Sequence, residues 1–341
     1  MKYKNSILLD LFEGKKTTRP PVWVMRQAGR ILPGYRKIRK EAGSFKKLVK
    51  SPDLISEVTV EPLHKLGVDA AILFSDILVI PEAMGLNYEI VEKTGPIFEK
   101  TIQSRGDIDA LIDGEATLEH LTYVFDSIDS TKERLNGSNP LIGFSGAPWT
   151  LFAYMLEGKG SKTFSVARRF IYENPKESHL LLQKITNSII FYLKEKINKG
   201  VDVVQLFDSW ADMLPPAVYN EFGLRYAKQV FDEIKGTPKI FFPKGSWSSY
   251  QHMNDIDFDA VSIDWKTPPD YVRSQIGDVI LQGNLDPALL YAPISDIEVE
   301  VKRISAEMGT RHIFNLGHGV YPDTNAEHVK GFIDAVKSIR F

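Results

Sequence analysis

"PVWVMRQAGR", residues 21 to 30, sets a short run of Pro, Val, Trp, Val and Met directly against Arg26, Gln27, Gly29 and Arg30. An apolar run without polar alternation reads as a strand buried on both faces, as in a parallel sheet covered by helices. The polar residues that follow then stand at its carboxyl end. Seven more runs repeat the arrangement: "DAAILF" (69 to 74), "PLIGF" (140 to 144), "DVVQLF" (202 to 207), "PKIFFP" (238 to 243), "DAVSID" (259 to 264), "DVILQG" (278 to 283) and "HIFNLG" (312 to 317). Gly, Asp, Ser or His stands at or just after the end of these runs, and a longer amphipathic segment then follows.

The segments between them read as helices. Ser51 is a cap residue, Pro52 takes the first helical position and Gly67 stops the helix. Others are predicted near 115 to 135, 175 to 199, 215 to 235, 295 to 308 and 325 to 339. Eight strand and helix alternations in 341 residues match an α/β fold of the (β/α)8 TIM barrel type, one domain over residues 1–341. An open doubly wound sheet is the runner-up, weakened because no G-x-G-x-x-G follows the first strand. Residues 86 to 101 read as a hairpin turned at Thr94 to Pro96, inserted after the second strand.

Composition narrows the function. Hydrophobic residues make up 43% and charged residues 25%, ordinary for a globular chain with a large core. Forty-two Lys and Arg against 44 Asp and Glu leave a net charge of -2, so no global field favours nucleic acid or an anionic membrane. There is no cysteine, which removes disulfides, thiolate metal sites and a cysteine nucleophile. No signal sequence or membrane span is evident, and a cytoplasmic protein is expected.

In a barrel of this kind the chemistry collects on the face built by the loops after the strands. Polar residues do follow the runs: Arg26, Gln27 and Arg30; Ser75 and Asp76; Ser145, Trp149 and Tyr154; Asp208, Ser209 and Trp210; Lys244; Asp264 and Trp265; Asn284 and Asp286; His318. From Arg26 to Lys40 there are six cations and no acid. Arginine stays charged and its planar fork fits carboxylate or phosphate, so Arg26 and Arg30 read as an anion grip, with Lys37 and Lys40 an ordinary solvated surface. Gly29 lets the backbone approach a ligand closely. Asp76 emerges from a very apolar strand, so it either meets a partner with donors or positive charge, or caps the next helix. His318, between two glycines in "NLGHGV", either titrates near neutral pH at the mouth or bonds a neighbouring loop. Tyr154 either points a phenol inward or packs as a plain aromatic. The other six histidines are assigned to structure. "GFSGAP" lacks the G-x-S-x-G of a hydrolase elbow, "EGKGSKT" lacks the P-loop spacing, and no cluster has metal-ligand spacing.

The segments "RPPVWVMRQAGRILPGYR", "AAILFSDILVIPEAMG", "IGFSGAPWTLFAYMLEG" and "NLGHGV" together resemble the uroporphyrinogen decarboxylase family, in order and over nearly the whole chain. The resemblance implies a homodimeric (β/α)8 barrel that uses no cofactor and no metal. It implies removal of the four acetate carboxyls of uroporphyrinogen III, giving coproporphyrinogen III for haem synthesis. Carried over by motif, Arg26, Gln27, Ala28, Gly29 and Arg30 line the substrate cleft, with Phe45 and Arg39. Asp76 binds the pyrrole N–H groups, Tyr154 and Ser209 touch substrate, and His318 sits at the rim. Lys159 departs from the family, where glycine is frequent. On this reading Asp76 stabilises a cationic ring formed by protonating a pyrrole carbon, and Arg26, Arg30 or His318 handles the proton. Two rivals share the fold or the cleft: a zinc-dependent methyltransferase, which generally needs cysteine ligands, and a non-catalytic tetrapyrrole carrier.

Overall fold

The computed structural model describes residues 3–91 and 94–341. Seven parallel strands form the main sheet in the order β1 (Ala71–Ile72), β4 (Leu141–Gly146), β5 (Val203–Asp208), β6 (Lys239–Pro243), β7 (Ala260–Ser262), β8 (Ile280–Leu285) and β9 (His312–Leu316). Apart from Ile72 and Phe207, every residue of these strands is buried. The near-continuous apolar runs therefore do mark strands covered on both sides, with helices outside.

The run at 21–25 behaves differently from expectation. It closes the circle, but only through a single parallel bridge between Val22 and Phe314. Phe314 N donates to the Pro21 carbonyl and Trp23 N to the Phe314 carbonyl on one side, and Asp69 N donates to the Val22 carbonyl on the other. Its remaining N–H groups are claimed by side chains: Val22 by Asp69, Val24 by Gln27 and Met25 by Asn315. Pro21 has no N–H at all. A regular ladder cannot form where its donors are absent or already bonded, so the first of the eight expected strands is reduced to a bridge. Asp69, which supplies one of these bonds, is gripped by both terminal nitrogens of Arg19 at 2.7 Å. Inside the barrel, Trp23 Nε1 donates to Gln282, whose amide donates to Gln205, tying the irregular strand to β8 and β5.

The helix at Pro52–Lys65 begins at Pro52 and is followed by Gly67 in the left-handed region, although Ser51 makes no side-chain cap bond. The helix expected near 115 to 135 is divided into a 3-10 turn at Gly114–His120 and a helix at Thr122–Leu135. The segment near 215 to 235 carries a π-helical turn at Asn220–Leu224 between Pro216–Tyr219 and Arg225–Glu233. The hairpin is present as β2 (Tyr88–Val91) and β3 (Gly95–Phe98). Gly95 and Pro96 already pair with Val91 and Ile90, so the chain reverses before them, and residues 92 and 93 lie outside the described residues. Lys159 meets the hairpin through a backbone bridge to Ile97, which any residue could make. Among the described residues no helix is long and apolar enough to cross a membrane.

Candidate functional site

At the carboxyl end of the barrel lies a cavity of about 250 Å³. Its walls are mostly apolar, with Ile72, Phe74, Phe144 and Phe207 prominent, and its polar groups are Arg26, Ser75, Asp76, Ser209 and His318. These come from the loops after the first, second, fourth and eighth runs, as the rule for this fold demands.

Arg26 leaves the irregular strand with φ +64°. A non-glycine residue in the left-handed region costs about 1 kcal/mol or more, and here that conformation turns the guanidinium into the cavity. Arg26 remains solvent-exposed; partial desolvation at the cavity wall lowers its pKa, while Tyr154 and Asp76 pull it back up. Asp76 is half-buried; its Oδ1 accepts the Leu78 N–H at 3.0 Å and its Oδ2 the Tyr88 hydroxyl at 3.0 Å. Burial raises the Asp76 pKa against those two donors and the Ile77 N–H, and Glu82 adds to the rise. Neither Arg26 nor Asp76 has an opposite charge within 4.0 Å among the described residues. Asp76 thus meets donors at the cavity as one expectation had it, whereas the other fails: the N-cap position of the next helix, Val79–Ala83, is Leu78, and no side chain caps it.

His318 lines the same cavity, 6.1 Å from the Phe242 ring between centroids. Burial first, then the cations Arg26 and Lys244, push its pKa down to about 3. It is therefore a neutral imidazole at physiological pH, not the near-neutral switch its exposed-looking glycine context suggests. Those glycines also have other duties. A Cβ on Gly317 would come within 2.5 Å of the Trp265 nitrogen, and one on Gly319 within 2.3 Å of Arg26 Cδ.

Tyr154, on the helix Pro148–Glu157, does not line the cavity but packs edge-on against Phe164 and Trp210, at 5.8 and 6.2 Å between centroids. Burial raises its pKa, and the fields of Asp76 and Arg26 both reach it. Gln27 is placed apart from the cavity. Fully buried, it accepts the Val24 N–H at 3.0 Å and donates to the Ala70 carbonyl at 3.1 Å, completing the strand that cannot complete itself. Ala28 lines the cavity, and Gly29 lies in the turn, its carbonyl accepting Leu32 N.

Arg30, Arg39 and Phe45 line a second, outer groove of about 1020 Å³ together with Tyr35, Arg36 and Lys40. The two spaces meet at Phe74, which lines the inner cavity while the Tyr35 and Phe45 rings of the groove pack against it at 5.4 and 6.0 Å. The cations thus divide: Arg26 alone of the group faces the inner cavity, Arg30, Arg36, Arg39 and Lys40 line the outer groove, and Lys37 is plain surface as expected. Lys40, expected as plain surface, belongs to the groove as well.

Sequence reasoning missed Tyr88 as a partner of Asp76; its one signal was a tyrosine heading the hairpin with an inward-facing place in the alternation. It also missed how Asp208 holds the mouth together. Fully buried, Asp208 accepts the hydroxyls of Thr150 and Tyr219 at 2.6 and 2.7 Å, and burial pushes its pKa up to about 6. It thereby links the loop bearing Ser209 to the helix bearing Tyr154. Among the described residues no group of three or more His, Cys, Asp or Glu side chains is arranged to hold a metal ion.

The sequence profile of the uroporphyrinogen decarboxylase (URO-D) family matches residues 3–339. Curated proteins named uroporphyrinogen decarboxylase from Sulfurovum sp. (strain NBC37-1) and Flavobacterium johnsoniae are each 44% identical over 337 residues. The matches cover 97% of both chains in the first case and 98% of both in the second. Among solved structures, a methyltransferase from Methanosarcina mazei superposes with TM-score 0.82 over 98% of each chain, at 20% identity. A B12-independent methionine synthase from Shewanella sp. W3-18-1 reaches TM-score 0.59 over 94% of this chain and 96% of its own, at 8% identity. Likeness at such low identity shows the shared barrel alone.

Proposed function

Because the chain belongs to the uroporphyrinogen decarboxylase family, we propose that it is a carboxy-lyase of porphyrin biosynthesis, removing the four acetate carboxyls of uroporphyrinogen III to leave the methyls of coproporphyrinogen III. The observation that carries the chemistry is one cavity presenting a guanidinium, Arg26, and a carboxylate, Asp76, neither of them in a salt bridge among the described residues, within mostly apolar walls. The apolar walls leave the half-buried Asp76 charge less screened than in bulk water, while Arg26 is exposed at the mouth.

The substrate is larger than the inner cavity. A macrocycle with eight peripheral carboxylates needs the outer groove too, where Arg30, Arg36 and Arg39 face acidic side chains of the ligand. Asp76 stands at the hub and accepts the inward N–H groups of the pyrroles. Arg26 grips the acetate at the reacting ring, and Ser209 and Tyr154 complete the surroundings.

Decarboxylation needs an electron sink. A proton added to a pyrrole carbon makes the ring cationic; the C–C bond to the carboxylate then breaks, carbon dioxide leaves, and the electron pair neutralises the ring. A second proton turns the resulting exocyclic methylene into the methyl, and loss of the ring proton restores the pyrrole. Asp76 stabilises the cation between these steps by fixed charge, the kind of preorganisation that accounts for large rate effects. His318, neutral, serves as a hydrogen-bonding group and not as an imidazolium acid. The reading extends to a cytoplasmic homodimer serving the haem branch, as the family resemblance implies.

The test is anaerobic incubation of the purified protein with uroporphyrinogen III and no added cofactor, followed by oxidation and chromatography. Coproporphyrin is expected. Substrate bound without turnover would mean a tetrapyrrole carrier, and sedimentation velocity checks the dimer.

A further inference from the structure

Asp76 reaches the cavity from a loop, and the side chain that holds it comes from the inserted hairpin. Tyr88, at the start of β2, is 1% exposed and donates its hydroxyl to Asp76 Oδ2. Among the described residues no other side chain hydrogen-bonds this carboxylate. The tyrosine is itself well seated: its ring packs on Phe98 of β3 at 5.7 Å, and Lys46 Nζ lies 4.8 Å from the ring centre. Lys46 is anchored in turn by Glu82 at 3.0 Å and by Glu89 of the hairpin at 3.7 Å. Tyr88 does not line the cavity, so it touches Asp76 from behind.

Building on the function proposed above, we infer that Tyr88 is a positioning residue of the decarboxylation: through its hydroxyl the hairpin aims the Asp76 carboxylate at the ring that becomes cationic. Two consequences follow from the bond. It fixes the side-chain torsions of Asp76, whose charge must stand at one place to favour the transition state. It also favours the ionised form of a carboxyl that burial drives toward protonation. The other groups acting on Asp76 are the Leu78 and Ile77 N–H groups of its own loop, Arg26 from the first loop, Glu82 from the helix Val79–Ala83, Tyr123 from Thr122–Leu135, Tyr154 from Pro148–Glu157 and Tyr192 from Pro175–Asn198. All of them remain when one hydroxyl is removed.

Tyr88→Phe in the full chain tests the inference, because it keeps the Phe98 and Lys46 contacts and deletes the bond. A hydrogen bond to a charged group is strong enough that kcat should fall about tenfold or more, with KM within about twofold, since Tyr88 does not meet substrate. The acid limb of kcat/KM should move to higher pH, a change that a purely structural role would not produce, and the melting temperature should stay close to that of the wild type. Wild-type turnover run alongside separates the two levels: absence there defeats the family-level reading, whereas normal wild-type turnover with an unchanged variant defeats the role of Tyr88. A readout independent of turnover is 13C NMR of protein labelled at the aspartate carboxyls, with the Asp76 signal identified by its loss in Asp76→Asn. Its titration midpoint should rise in Tyr88→Phe; an unmoved midpoint together with unmoved kinetics overturns the inference.

Discussion

Gly319 lies against the side chain of Arg26, so closely that a Cβ on the glycine would stand 2.3 Å from Arg26 Cδ and 2.7 Å from Nε. The loop after the last strand and the loop after the first are therefore fitted to each other at the cavity wall. Gly319→Ala should displace the guanidinium and lower kcat/KM by about a hundredfold, since small misplacements of a reacting group are costly. Gly317→Ala meets the Trp265 backbone nitrogen instead, which cannot swing aside. It should lower stability by about 1–3 kcal/mol, read from denaturant melts. Equal activity in Gly319→Ala and wild type would contradict this assignment of Arg26.

The charge on Asp76, more than its shape, is expected to matter. Asp76→Ala should lose at least about a hundredfold in kcat, and Asp76→Asn nearly as much, while Asp76→Glu retains part of the rate. Wild-type turnover in Asp76→Asn would remove the electrostatic account.

The separation of cations between cavity and groove makes different kinetic demands on two arginines. Arg30→Ala should raise KM by about tenfold with kcat little changed, because its contact is the same in ground and transition states. Arg26→Ala should lower kcat strongly. The same pattern in both variants would show that the two spaces do not act separately.

Gln27→Ala leaves the Val24 N–H and the Ala70 carbonyl without their partner. Removing one side of buried hydrogen bonds costs about 1–3 kcal/mol, so chemical denaturation should reveal a stability loss of that order. The KM of the surviving enzyme should change little, in contrast to a residue that contacts substrate.

His312 and His318 both have pKa values pushed down to about 3, mainly by burial. Between the ordinary histidine value near 6.5 and about 3, the unfolded chain binds protons that the folded chain refuses. Their contribution to stability is thus fully present above about 6.5 and is lost as pH falls toward 3. Melting temperatures should decline over that window, and His318→Gln should decline less steeply. The activity profile should show no break from His318 between pH 5 and 8.

Much of this site is legible in the amino-acid sequence. The short apolar runs are legible because a strand covered on both faces has no place for polar alternation, and the polar residues after them are legible because this fold gathers loops at one end. Arg26, Asp76, Ser209 and His318 meet at the cavity for that reason. The exceptions have equally specific causes. "PVWVM" carries every mark of a strand, yet side chains distant in sequence, Asp69 and Asn315, bond its N–H groups. Gln27 shares a motif with Arg26 but turns the other way, since the left-handed backbone at Arg26 sends neighbours to different faces. The pKa of His318 depends on apolar walls and two cations contributed by other loops, none adjacent to it in the chain.

The amino-acid sequence by itself determined the barrel, its active end and the identities of the charged groups there, because strand burial and helix periodicity are local patterns. Only the tertiary structure decided which cation faces the cavity, that the histidine stays neutral and that Tyr88 backs Asp76. Those depend on distances and desolvation between segments far apart along the chain, and no local pattern carries that information.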